Sequence, residues 1–259
     1  MRQNLDGSWP SEGDLVEYEA KEGTTDTDTA ALAKTSYTGF TAQSFEQRNI
    51  DGDGTTVVEI RYERNLHTVT IQTGDHATGV ASGPTENIPF ETELRLTATP
   101  DAGYHFDYWV DAQGNKYTDN PLNVTLGDAD ISLKPVAAPN TDTPYTVKHV
   151  RQNLDGTWPD SGELVFNEPL TGTTDTSTAA EARTYDGFTA APVSQGTISG
   201  DPENPTVVEI KYFRNSYALS VLDNGHGTVS REPAAGAVLF GLGVTVNCTP
   251  AIGYHFVKW

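Results

Sequence analysis

The sequence predicts a mainly β protein: tandem small modules in an elongated array, one kind β-grasp-like with one short helix (A), the other all-β (B). Three observations predict it. Segments recur at a near-constant spacing along the chain. Apolar and polar residues alternate in short runs, the period of a half-buried strand. Gly 24 and Pro 15 are spread through 259 residues, and hydrophobic residues make up only 36%, so turns are frequent and one large core is excluded.

The repeat sets the organisation. RQNLDGSWP at 2–10 returns as RQNLDGTWP at 151–159, 149 residues on. Gly23-Thr24-Thr25-Asp26-Thr27 returns at 172–176 and Gly39-Phe40-Thr41-Ala42 at 187–190. Thr56-Val57-Val58-Glu59-Ile60 returns at 206–210, and Gly103-Tyr104-His105-Phe106 at 253–256. The spacing shifts only between these blocks, as in duplicated folded units. Each unit divides after its Arg-Asn pair, 64–65 and 214–215. The modules are therefore A1 (1–65), B1 (66–138), A2 (145–215) and B2 (216–259), with a stiff Pro/Thr linker at 139–144. By the same alignment, A1 lacks a counterpart of Tyr145–Val150, its first strand. B2 lacks a counterpart of 110–137 and is expected to carry an unpaired edge. Modules of about 70 residues bury only about 60% of their unfolded surface, so packing of A on B is expected to add stability.

In module A, Tyr145, Val147 and His149 alternate as a strand, Asn153-Leu154-Asp155-Gly156 turns, and a second strand lies near Leu164–Phe166. Thr173–Thr178 then reads as a polar cap before Ala179-Ala180-Glu181-Ala182-Arg183, which predicts the short helix. Tyr185-Asp186-Gly187-Phe188 turns into a strand, and Thr206–Phe213 is the strongest strand. In module B, Tyr217–Val221 alternates, Asn224-Gly225-His226-Gly227 is a hairpin signal, and Val244–Cys248 alternates again. B1 adds a turn at Asp111–Asn115 and a strand at Leu122–Leu126.

Composition removes several functions. The net charge is −20, from 36 acidic and 16 basic residues, which repels nucleic acid and anionic lipid. A single cysteine, Cys248, allows neither an intramolecular disulfide nor a zinc site of paired cysteines. It aligns with Ala98, a small position. No stretch approaches the roughly 18 apolar residues of a membrane span, and the first residues carry no signal-peptide pattern.

The blocks Tyr145-x-Val147-x-His149, Gln152-Asn153-Leu154-Asp155-Gly156, Gly187-Phe188-Thr189 and Val207-Val208-Glu209-Ile210-x-Tyr212-x-Arg214-Asn215 resemble the mucin-binding-protein-type (MucBP-like) repeats of Gram-positive surface proteins. Ala98-Thr99-Pro100-x-x-Gly103-Tyr104-x-Phe106-x-x-Trp109 is similar to the divergent internalin B-type repeat. The resemblance implies a secreted, cell-wall-attached protein, fixed through a region outside this chain. It implies either a stalk that spaces an adhesive head, or modules that themselves bind host mucin, glycan or another extracellular protein. Part of a secreted enzyme is a remote third reading, and the chain is expected not to be an enzyme.

Few residues invite chemistry. Trp9 and Trp158 follow polar turns and are the candidate ligand-binding residues: an exposed indole stacks on a sugar face while its N–H bonds a hydroxyl. The competing reading packs each at its module's edge. Asp51-Gly52-Asp53-Gly54 resembles part of a calcium loop, but position twelve is Tyr62, so a turn is expected there. Tyr104, Phe106 and Trp109, with Tyr254, Phe256 and Trp259, are expected in the cores, and His105 and His255 as structural or solvent-facing. No phosphate loop, nucleophile elbow or carboxylate pair stands out, so no cofactor, metal or catalytic residue is assigned.

Overall fold

The computed structural model describes every residue but Ala235. The chain forms two compact units, Met1–Ala138 and Pro139–Trp259. All described regular elements are strands. A1 has β1 (Phe40–Ala42) and β2 (Tyr62–Arg64). B1 has β3 (Leu66–His67), β4 (Val69–Ile71), β5 (Ala77–Ala81), β6 (Ile88–Pro89), β7 (Glu93–Pro100), β8 (Tyr104–Asp111), β9 (Lys116–Tyr117), β10 (Leu122–Thr125) and β11 (Ile131–Pro139). A2 has β12 (Thr143–Arg151), β13 (Val165–Gly172), β14 (Phe188–Ala190) and β15 (Val207–Arg214). B2 has β16 (Ser216–Tyr217), β17 (Gly227–Glu232), β18 (Val238–Leu239) and β19 (Thr245–Pro250). Only Asn140, Thr141 and Asp142 separate β11 from β12.

A2 is one sheet in the order β13-β12-β15-β14. β12 is central, antiparallel to β13 and parallel to β15, with Val147 opposite both Glu168 and Val208. Its alternation decides which face is the core: Tyr145, Val147 and His149 point inward and are buried. Val208, Ile210 and Tyr212 extend that face from β15.

The predicted helix is absent. Residues 179–183 cross the inner face as extended chain. Five residues make too short a nucleus to form a helix unaided, because fixing the first turn costs more than its one hydrogen bond returns. Here the amides have better partners. Ala179 N donates to Tyr145 Oη (3.2 Å), and Arg183 N to Tyr212 Oη (2.8 Å). The Gln195 side chain pairs Ala180 as a neighbouring strand would, accepting from its N (2.9 Å) and donating to its O (2.8 Å). Ala180 is thereby pressed into the core. A1 repeats the device: Gln47 pairs Ala31 at 2.9 and 2.8 Å, and Lys34 N donates to Tyr62 Oη at 2.7 Å.

A1 keeps these crossing contacts but little sheet. β1 pairs β2, and Arg2 bridges Tyr62 in parallel, the position Arg151 holds against Tyr212 in A2. The counterparts of β13 and of the first half of β15 form no strand in A1; Met1 N donates to Ile60 O (2.7 Å) and Tyr62 N to Met1 O (2.9 Å).

B1 faces two sheets across one core: β10-β7-β5 and β4-β11-β8-β9. Leu94, Leu96 and Leu122 from the first meet Val69, Trp109 and Leu133 from the second. Gly79 seats the indole, since a Cβ there would lie 2.7 Å from the Trp109 ring. B2 retains β17–β19 and β16–β18 but nothing in the places of β10 and β11. This corrects two expectations. The alternating run Tyr217–Val221 is strand only to Tyr217. Tyr254, Phe256 and Trp259 lie at the surface, not in a core, since residues 251–259 form no strand that would seat their rings.

Ile210 on the central pair is 1% exposed, whereas its counterpart Ile60 is half-buried. Ile210→Ala is expected to destabilise unit 2 by about 2–5 kcal/mol, and Ile60→Ala to destabilise unit 1 by clearly less. Urea unfolding followed by unit-specific probes checks the difference.

Candidate functional site

The best-defined polar and aromatic site is the A–B junction, and it is built twice. In unit 1, Asn65 N donates to Gly39 O (2.8 Å) and Phe90 N to Asn65 O (2.9 Å). In unit 2, Asn215 N donates to Gly187 O (2.8 Å) and Phe240 N to Asn215 O (2.9 Å). These bonds lay a phenylalanine of module B on a glycine of module A. A Cβ on Gly39 would come within 2.3 Å of the Phe90 ring, and one on Gly187 within 2.1 Å of the Phe240 ring. Both glycines also have positive φ, +76 and +77°, which side chains disfavour. The ring then meets Phe40 edge-on at 5.7 Å, or Phe188 at 5.9 Å.

An arginine closes the joint. Arg64 is 7% exposed and stacks on Phe40 at 4.9 Å. Its Nε donates to Gln3 O (2.9 Å), and its Nη1 to Phe90 O (2.8 Å) and Glu91 Oε2 (2.7 Å). Arg214 stacks on Phe188 at 4.9 Å and donates to Gln152 O (2.6 Å) and Phe240 O (2.7 Å). Guanidinium geometry suits this work, since one planar fork serves carbonyls of both modules while its face covers a ring. Glu91 and its counterpart Gly241 share positive φ. In unit 1 the ion pair to Arg64 holds a glutamate in a conformation that glycine adopts freely.

Unit 1 adds a clamp. Asp128, in the β10–β11 loop, accepts from Gly39 N (3.2 Å) and Asn65 Nδ2 (2.8 Å), and its Oδ1 lies 3.2 Å from His67 Nε2. The Asn65 amide, then the Gly39 N–H and His67, hold this carboxyl below the usual range.

A second cluster ties the crossing segment of A2 to its sheet. Glu168 Oε1 lies 2.6 Å from Arg183 Nη2, and Glu168 Oε2 3.0 Å from His149 Nε2. His149 Nδ1 lies 2.6 Å from Tyr212 Oη. Arg183 first, then His149, lower the Glu168 carboxyl to about 2. An ionised carboxylate only accepts, so His149 Nε2 is the donor of that contact. The Tyr212 oxygen accepts Arg183 N–H and pairs with His149 Nδ1. Every partner is satisfied, and both His149 and Tyr212 are buried.

The predicted ligand residues are brought to the outer faces of the A modules, not to a pocket. Trp158 lies half-buried, edge-on to Phe213 at 5.2 Å, with the Lys211 ammonium 5.3 Å above its ring. Trp9 lies under the Arg61 guanidinium at 5.2 Å. Asp53 caps a turn, accepting from Thr55 N and Oγ1. Among the described residues no three His, Cys, Asp or Glu side chains gather as a metal set. An open groove of about 520 Å³ on B1 is lined by Asp111, Gln113, Tyr117, Asn123 and Ser132, among others. Asp111 is a turn cap there, engaged by Gln113, Asn115 and Tyr117.

Sequence reasoning did not single out Arg64, Arg214, Phe90 or Phe240. The signal was present: Gly-Phe and Arg-Asn recur in both units.

Residues 67–137 and 217–259 match the family described as the divergent InlB B-repeat domain. B1 and B2 are thus similar to internalin B-type repeats, and the chain is a repeat region. No curated protein and no solved structure matches the chain.

Gly187→Ala is expected to cost unit 2 about 1–3 kcal/mol through overpacking and positive φ. Adding Phe240→Ala to it should restore the space, so the two changes together cost less than their sum in a double-mutant cycle. The Glu168 shift sets a pH window. Its folded value, about 2, lies below the ordinary 4.5, so its contribution is complete above about 4.5 and is lost as pH falls towards 2. The stability difference between wild type and Glu168→Gln should therefore shrink over that range in urea titrations.

Proposed function

We propose that this chain is stalk: a segment of a bacterial cell-surface protein, outside the cell, that holds an adhesive head away from the wall. The observation that carries the reading is the junction built twice from the same residues. A spacer needs neighbouring modules to keep one angle, and a glycine–phenylalanine contact closed by a buried arginine does that without a ligand. The charge of −20 supports the same reading, because like-charged stalks stay apart in solution and do not attract nucleic acid. The partners are then neighbouring repeats of the same chain.

The A modules are MucBP-like on this reading. Support comes from their sheet, whose first strand lies centrally and parallel to the last, as a β-grasp requires. The binding alternative, host mucin or glycan held at Trp9 and Trp158, has weaker support. Phe213 and Lys211 occupy the surroundings of the Trp158 ring that a sugar would need.

The test places a fluorophore pair across one, two or three tandem copies of a unit. Single-molecule transfer efficiency should fall by regular steps with narrow distributions, and Phe90→Ala and Phe240→Ala in every copy should broaden them. Mucin-coated surfaces should retain the chain no better than bare ones. Saturable mucin binding that Trp158→Ala abolishes would overturn the spacer reading in favour of the binder.

A further inference from the structure

In B1, β10 is an edge strand: β7 lies on one side of it and no strand on the other. Backbone alternation says which groups face the open side. Leu126 N donates to Thr92 O (2.9 Å), and Leu126 O accepts from Glu91 N (2.9 Å). With this register, Leu126, Val124 and Leu122 turn their amides and carbonyls to β7. The N–H and C=O groups of Asn123 and Thr125 point the other way. Edges are commonly guarded by charge or proline, and Leu122–Thr125 has neither.

This edge is held at both ends. The Leu126 bonds fix one. At the other, the Asn120 side chain continues the ladder, accepting from Ala98 N (2.9 Å) and donating to Ala98 O (2.8 Å). An edge ordered in advance loses little freedom when a further strand joins it.

Two grooves share β10 as a wall, and Asn123, Val124 and Thr125 line both. Side chains of an added strand alternate between the faces of the sheet, so each groove would receive every second one. The groove of about 520 Å³ is lined by Leu122, Val124, Ile131 and Leu133 and carries Asp111 and Asp130 with no lysine or arginine. Asn115, first among its partners, holds the Asp111 carboxyl below the usual range. The Asp130 side chain is 74% exposed. The second groove, about 480 Å³, adds Glu93 and Arg95. Three carboxylates thus stand against one guanidinium, on a chain of net charge −20. That balance repels a second copy of the same edge and attracts a basic partner.

We propose that the open edge of β10 is a binding site for an extended, basic peptide segment of another polypeptide. The segment joins the sheet as a further strand. Asn123 and Thr125 exchange main-chain hydrogen bonds with it, its apolar side chains lie against Leu122 and Val124, and its Lys or Arg side chains meet Asp111 and Asp130. The site goes beyond the spacing role, and neither depends on the other.

The test titrates a fluorescein-labelled peptide, Lys-Thr-Val-Thr-Val-Thr-Lys, into the full chain and reads anisotropy, with hydrogen exchange locating the site. Its valines and lysines share one face, so either strand direction is served. Saturable one-to-one binding is expected, with new protection at the Asn123 and Thr125 amides. The same peptide with glutamate for lysine should not bind. Asp130→Asn should weaken binding about threefold, the size of an exposed ion pair. Asn123→Pro removes an outward N–H at a place where an edge strand tolerates proline, and should weaken binding about tenfold. Exchange at Leu96 and Trp109 shows whether B1 stays folded in each variant, and Thr125→Pro replaces any variant that does not. No saturable binding to the folded chain overturns the proposal. So does equal binding of the glutamate peptide, or protection outside β10. Dimers of the chain alone that Asn123→Pro dissolves would give the edge to a second copy and overturn it too.

Discussion

A strand with neighbours on both sides fixes which of its faces is buried, and the larger sheets are organised around such strands. β12 is one in A2. It gives β13 and β15 their partner, sets which residues face inward, and thereby builds the core of Tyr145, Val147, Ile210 and Tyr212. In B1, β7 and β11 are inner strands of two sheets that face each other across Trp109. A1 and B2 carry closely related residues, and their described strands pair in twos: β1 with β2, β16 with β18 and β17 with β19.

A1 and B2 share further local contacts with their counterparts. In A1 the crossing segment keeps its side-chain-to-backbone bonds from Gln47 and Tyr62. In B2 the turn around Phe240 keeps its place on Gly187. Both survive because they are local to the junction and its neighbours rather than to the sheets. The same joint therefore forms in both units. Its arginine stacks on one module's ring and donates to the other module's carbonyl, so neither side can move without leaving buried donors unpaired.

Much of this was legible in the sequence. The recurrence of RQNLDG, Gly-Phe-Thr and Thr-Val-Val-Glu-Ile marked the repeat, and the alternation at 145–149 marked the strand that is β12. The helix failed because Ala-Ala-Glu-Ala-Arg states only a propensity. The competing partners, Gln195 and the hydroxyls of Tyr145 and Tyr212, are distant in sequence and become neighbours only once the sheet has formed. The junction was hidden for the same reason. Gly187 and Phe240 lie 53 positions apart, and their contact has no periodicity to betray it. The indoles were found but not their surroundings, since the cations over Trp9 and Trp158 come from the far end of the module.

The glycine beneath each junction phenylalanine carries a last consequence. The side chains common to both joints are few: the phenylalanine after the glycine, the arginine, and the partner ring. Any pair of modules keeping these and the glycine is interchangeable at the seam. Sequence drift elsewhere, such as His67 against Tyr217 or Glu91 against Gly241, leaves the fit intact. An array joined this way can lengthen, shorten or exchange blocks by recombination without redesigning a single interface, and the glycine is the position where such shuffling has no latitude.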